Sequence, residues 1–280
     1  MESLLSSGIP LVLTIVVLAV LLGLLHICIV LFNAIPFSTP IILQIRGMDV
    51  LIGMTVYLKT SIDFAIFMGR LMATYPGWRN RIAIEIGTAF GNAMGTIAVI
   101  ALWVFFKDIH ILLALMVLLA ALVLFELARG SLEHFANWEG DGGVKRFLYL
   151  SLRRSLDFIN RLTNPVLSRI MPDLGEKLKG KACLSWRNVL VFSMSVPFIL
   201  GLDDFAGYVP LFSVVNVYGF AIGVIGAHTI LNISLFLSPT RTIKAVKNEY
   251  ISFAGTIAFI ALALYGIWES GRIIVGLFFH

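Results

Sequence analysis

The sequence predicts an all-α polytopic membrane protein of about seven transmembrane helices, N-in/C-out, in which an extra first helix precedes two inverted three-helix repeats. Three observations predict it. Hydrophobic residues make up 59% of the 280 and charged residues only 13%, which is too little polar cover for a water-facing surface. The apolar residues fall into runs of about 20, the length that crosses a hydrocarbon core roughly 30 Å thick. An acidic tripeptide, Asp-Phe-Ala, recurs inside two such runs, TSIDFAIFMG at 60–69 and GLDDFAGYVP at 201–210.

In order, the spans read 10–32, 50–72, 82–106, 109–129, 189–208, 211–236 and 250–269. The first has no basic leader and exceeds the apolar core of a signal peptide, so it is expected to stay as a membrane helix. Orientation follows from Lys and Arg, which are retained on the cytoplasmic side during insertion. Eleven lie between 129 and 187, three between 70 and 81, and three between 241 and 247. These loops share one side, and only Arg46, Lys107 and Arg272 fall on the other, with Lys59 inside a span. The formal charge of +5 is thus a topology signal and implies no nucleic-acid partner. The two cysteines, Cys28 and Cys183, are too few and too differently placed for a disulfide framework and read as packing residues.

The resulting organisation is an N-terminal helix (1–47), a first three-helix repeat (48–130), a cytosolic basic linker (131–187) and a second repeat (188–280). In the linker, Phe147, Leu148, Leu150, Leu152, Leu156, Ile159, Leu162 and Val166 recur at helical spacing against Arg146, Arg153, Arg154 and Arg161. That is the pattern of a basic helix in the headgroup plane. Pro165 is expected to kink or end it. A solvated loop that serves only topology is the plainer alternative.

The repeats rest on more than the tripeptide. Each opens with a helix carrying Asp-Phe-Ala and continues with a glycine-rich one, Gly87, Gly91 and Gly95 in the first, Gly219, Gly223 and Gly226 in the second. Such glycines permit close helix packing. Each third helix closes with Glu and Gly: Glu126 with Gly130, and Glu269 with Gly271. Three spans is an odd number, so consecutive copies point in opposite directions, as in inverted-repeat transporters with midplane binding sites. Asp63 lies about fourteen residues along one helix and Asp204 about sixteen along its counterpart, slightly to either side of the bilayer centre. Three intramembrane acids, Asp63, Asp203 and Asp204, each cost at least ~2.5 kcal/mol on insertion scales, and a bound cation or transported proton would offset that cost.

TSID with Phe-Ala at 60–65 resembles the acidic motif on the first repeat helix of the lysine-exporter superfamily, particularly its manganese and cadmium export branches. LDDFAGY at 202–208 resembles the second copy of that motif. The resemblance covers two short motifs and a three-plus-three layout over about four fifths of the chain. It implies that paired intramembrane acids form the ion site, here Asp63 with Asp203 or Asp204. Lys59 ahead of the first motif, the extra span and the long insert depart from the family pattern, so substrate identity is not carried over.

On the third span Glu85, Thr88, Asn92 and Thr96 fall within about 80° of one another at 100° per residue, a polar stripe that should face protein or water. Oxygen donors of this kind suit a hard cation such as magnesium, calcium or manganese. On the sixth span His228 and Asn232 share a face and add a nitrogen donor. The candidate metal residues are therefore Asp63, Asp203, Asp204, Glu85, Asn92, His228 and Asn232. Each has a plainer reading. The threonines more often bond their own helix, His228 is equally an interhelical hydrogen bond, and Glu126 and Glu269 read as interfacial. Lys59 stands one turn before Asp63 and could neutralise it, although the second copy has Leu200 and Ile199 in that place.

No phosphate loop, HExxH or paired-cysteine motif occurs, so the chain is expected to be no enzyme and to need no cofactor. The expected function is secondary export of a divalent, manganese-like metal cation by alternating access, coupled to protons taken up by the same carboxylates. The expected location is a multi-pass position in a prokaryotic inner membrane, with the lipid bilayer as surroundings and room for a homodimer. Export of an amino acid or small cationic metabolite, and a non-transport assembly or lipid-handling role, are the rival expectations.

Overall fold

The computed structural model describes residues 2–278 except Phe37, Pro76, Asp141, 171–185, Val214 and Lys247. For some helical residues, among them 2–11, Lys59, Asp63 and 199–207, it describes the backbone alone. Among the described residues the chain is helical, with no strand. The helices are α1 (Glu2–Asn33), α2 (Gly47–Thr60), α3 (Ile62–Thr74), α4 (Trp78–Phe106), α5 (His110–Ser131), α6 (Val144–Ile170), α7 (Trp186–Tyr208), α8 (Val217–Leu237), α9 (Pro239–Val246) and α10 (Glu249–Phe278). Short 3-10 segments, Leu132–Glu139 and Val209–Ser213, follow α5 and α7.

Among the described residues five stretches are long and apolar enough to cross a membrane: Val12–Asn33, Trp78–Phe106, His110–Ser131, Val217–Leu237 and Glu249–Leu277. They match five of the seven expected spans. Their outer faces are apolar too. In the described part of α1 a narrow stripe, Thr14, Leu21, Leu25 and Ile29, is buried, while Val12, Ile15, Val20 and Ile27 are exposed. A helix apolar all round suits lipid on one side and protein on the other.

The expected span 50–72 is instead two helices, α2 and α3, meeting at Ser61, whose φ −89° and ψ 20° are not helical. The Tyr57 carbonyl accepts from the Ser61 amide at 2.9 Å and from the Thr60 hydroxyl at 3.2 Å. A threonine hydroxyl that competes for the backbone carbonyl in this way loosens a helix turn. The sixth helix begins at Val217, not at 211, because Pro210 sits in a 3-10 turn. Asn216 then caps α8, its Oδ1 accepting from the amides of Tyr218 and Gly219 at 3.0 and 3.1 Å. The last helix runs well past 269, so Glu269 lies inside it, buried, with one carboxylate oxygen 2.7 Å from Arg272. Glu126 is half-exposed and pairs with Arg129 at 3.0 Å. Nor does α6 end at Pro165. It continues to Ile170 with the proline inside it, at the cost of one backbone hydrogen bond.

Three helix pairs make the body of the fold: α4 with α7, α2 with α8, and α5 with α10. In the first, Trp186 Nε1 donates to the Arg79 carbonyl at 3.0 Å, and Gly87 and Gly91 lie against Leu190 and Met194. Contacts advance together along both chains, so these helices run in the same direction. In the second, Asn216 Nδ2 donates to the Ile42 carbonyl, and Gly219 and Gly223 lie against Asp49 and Val50. Further along, Tyr57 meets His228, again in the same direction. In the third, Gly266 lies against Ala121 while the Ser270 hydroxyl donates to the Ala114 carbonyl at 2.9 Å, so α5 and α10 run oppositely.

Candidate functional site

The polar residues predicted on α4 and α8 are buried. Glu85 and Asn92 are each 4% exposed, Thr88 and Thr96 scarcely more or less, and His228 and Asn232 are each 1% exposed. The stripe faces protein, as a polar face in lipid must. Thr88 and Thr96 bond back to their own helix, to the Ile84 carbonyl at 2.7 Å and the Asn92 carbonyl at 3.0 Å. They follow the plainer reading.

His228 is the centre of a short chain of side chains. Its Nδ1 lies 2.5 Å from the Tyr57 hydroxyl and its Nε2 3.0 Å from the Asn232 amide nitrogen. With the amide donating, Nε2 accepts and Nδ1 carries the proton that Tyr57 receives. Both ring nitrogens are thus engaged, and ligation of a cation would have to release one of them. Phe64 stacks on the same imidazole with centroids 5.4 Å apart. Phe64 is the third residue of α3, so the break at Ser61 places the start of α3, and with it the backbone of Asp63, beside this chain.

Glu85 is the residue with the largest unmet demand. Neither carboxylate oxygen has a hydrogen-bond partner among the described residues, and an ionised carboxylate held that way is costly. Arg81 lies over the Phe236 ring at 5.6 Å, which puts the first turn of α4 beside the last turn of α8. One turn inward on each helix stand Glu85 and Asn232 at a common level. Asn92 Nδ2, Asn232 Oδ1 and Ser193 Oγ are further buried polar atoms with no partner among the described residues.

The side chains of Asp63, Asp203 and Asp204, and the Lys59 proposed to pair with Asp63, lie outside the described residues. Among the described residues no group of three His, Cys, Asp or Glu is placed to hold a metal. Sequence reasoning passed over Tyr57 and Phe64, whose only signal is their place on either side of the TSID motif. It also passed over Asp49, buried in the first turn of α2 with Oδ2 unpartnered among the described residues. An acid in a first turn, favoured by the helix dipole, was the available clue.

These features define an all-helical protein with several helices fit to lie within a membrane and a buried polar cluster between them. No protein-family model, curated protein or solved structure matches the chain, so its function is argued from its own residues.

Proposed function

We propose that the chain is a secondary transporter that moves a divalent cation across the membrane by alternating access, as its resemblance to the lysine-exporter superfamily implies. The observation that carries the reading is the reciprocal packing of its halves. The first helix of each half lies on the glycine face of the second helix of the other, α2 on α8 and α7 on α4, and the third helices pair with each other. Parallel pairs for the first two and an antiparallel pair for the third are what a two-fold axis in the membrane plane would generate. This supports two inverted repeats, 48–130 and 188–280, with the N-terminal helix added to them.

The polar cluster fits a midplane site between such halves. Glu85 and Asn232 offer oxygen donors without other partners among the described residues, of the kind suited to a hard cation. His228, bonded on both nitrogens, serves better as a positioning or proton-handling residue than as a ligand. The broken helix α2/α3 brings the Asp63 position to the cluster, in the manner of the discontinuous helices of secondary transporters. Asp63 and Asp204 are the symmetry-related acids, and protons exchanged at these carboxylates would couple uptake to export.

Flux into proteoliposomes tests this. Asp63→Asn, Asp204→Asn and Glu85→Gln should each abolish manganese-dependent flux at near-normal protein levels, because a neutral amide keeps the shape and removes the charge. Asp203→Asn should be milder, since adjacent helix positions point about 100° apart. Normal flux in Asp63→Asn would end the cation-site reading. Recovery of lost expression in Asp63→Asn by adding Lys59→Met would instead mark a structural pair.

A further inference from the structure

Helix α6 has two apolar stripes, and only one is used by the fold. The inward stripe carries Tyr149 and Leu156, both buried. Tyr149 meets Phe135 edge-on at 6.0 Å, and Lys145 lies over the Trp138 ring at 5.3 Å. The outward stripe carries Val144, Phe147, Phe158 and Leu162, which are 73, 70, 65 and 66% exposed. At 100° per residue these four fall within about 60° of one another.

Charge is arranged around the outward stripe in a particular way. The ion pairs of this helix use its inner flank: Arg129 with Asp157 at 3.2 Å, and Arg153 with Glu139 at 3.0 Å. Arg146, Arg154 and Arg161 are exposed and take no part in those pairs. Arg154 and Arg161 lie within about 40° of Phe147 along the outward face, with Ser151 and Ser155 between the apolar residues. Large apolar side chains edged by arginines that take no part in the ion pairs among the described residues make a surface for an anionic bilayer interface, where the rings enter the acyl boundary and the guanidinium groups meet phosphate.

Position decides which surface that is. Arg129 stands in the last turn of α5, one of the helices long enough to cross the membrane. Its pair with Asp157 holds the middle of α6 at the level where α5 ends. A helix anchored at that depth has its free face at headgroup height.

We propose that the outward face of α6 is a docking surface for anionic phospholipid in the leaflet at the Ser131 end of α5. It holds the segment between the two halves to the membrane by charge as well as by apolar contact. The inference is independent of what, if anything, the chain transports.

The test uses the full chain with Cys28→Ser and Cys183→Ser, carrying a nitroxide at Phe158→Cys or Leu162→Cys. Their exposure makes both positions tolerant of the label. The protein is reconstituted in phosphatidylcholine vesicles with or without phosphatidylglycerol. With phosphatidylglycerol the labels should be accessible to oxygen and shielded from a nickel chelate, and without it they should shift toward nickel access. Arg154→Glu with Arg161→Glu should remove that dependence on lipid, each arginine accounting for about fivefold in lipid preference. Nickel access in both compositions would overturn the proposal in favour of a water-facing helix. Equal oxygen access in both would leave no recognition of headgroup charge. Shielding from both reagents would mean that protein, a second copy included, covers the face.

Discussion

Replacing Gly87 with alanine tests the contact that joins the halves, and its cost can be worked from the geometry. An added Cβ would lie 2.7 Å from the Leu190 carbonyl oxygen, 2.8 Å from the Ser193 Cβ and 3.2 Å from the Met194 amide nitrogen. Two of these are backbone atoms of α7 and cannot turn aside. To reach ordinary contact the helices must part by roughly 0.7 Å over a close-packed interface, and overpacking of this kind costs about 1–3 kcal/mol. Alanine regains about 1 kcal/mol of helix propensity, so a net loss of up to about 2 kcal/mol is expected. In the thermal unfolding of the purified protein that is a fall of up to about 8 °C.

The same reasoning orders a series. At Gly91 and Gly223 the added Cβ would overlap the carbonyl oxygens of Met194 and Val50, so both should lose more than Gly87→Ala. Gly219→Ala meets the Asp49 Cβ at 3.1 Å and Arg46 backbone atoms only at the ordinary contact distances of 3.6 and 3.7 Å, and should lose less. Gly226→Ala meets nothing within 4 Å and should be neutral or slightly stabilising, since only the propensity gain remains. Melting temperatures by fluorescence-detected gel filtration give the order directly. Equal melting of the Gly91 and Gly226 variants would refute the close approach, and a large loss at Gly91 with none at Gly223 would refute its reciprocity.

The Tyr57–His228–Asn232 chain predicts that Tyr57→Phe, which strands a buried ring nitrogen, costs about 1–3 kcal/mol in the same melting assay. His228→Leu in a Tyr57→Phe background should cost less than the separate losses added, because the two groups share one bond. For topology, cysteines placed beside Arg46 and Arg272 should react with an impermeant thiol reagent from outside, and ones beside Arg79, Lys179 and Lys244 should not. Reaction of both sets from one face would remove the inverted arrangement.

Hydropathy made most of the helices legible, because a lipid-crossing helix must be apolar over its whole length whatever it packs against. It failed at Ser61 for a related reason. The residues of TSIDFAIFMG are apolar enough on both sides of the break that averaging over a window hides one non-helical residue. Glycines on α4 and α8 pointed to close packing, yet nothing in their spacing said which helix would lie on them. That pairing depends on how the halves meet, and it has no local signature. Burial of Glu85, Asn92, His228 and Asn232 was legible from their shared faces, whereas the partners of His228 were not. Tyr57 comes from a helix 171 positions away in sequence, and a tyrosine in an apolar run carries no mark of its partner.

The break at Ser61 also changes what the repeated acid means. In an unbroken span Asp63 would sit mid-helix, where the intrahelical pair with Lys59 one turn earlier is the natural way to offset its charge. As built, Lys59 belongs to α2 and Asp63 is the second residue of α3. Across a non-helical residue the spacing of four no longer guarantees a shared face. The start of a helix, with its free amides and positive dipole end, itself favours an acid. The backbone of residue 63 thus stands at a helix start, a place that suits an acid without requiring the lysine, and Phe64 next in sequence holds this helix start against His228.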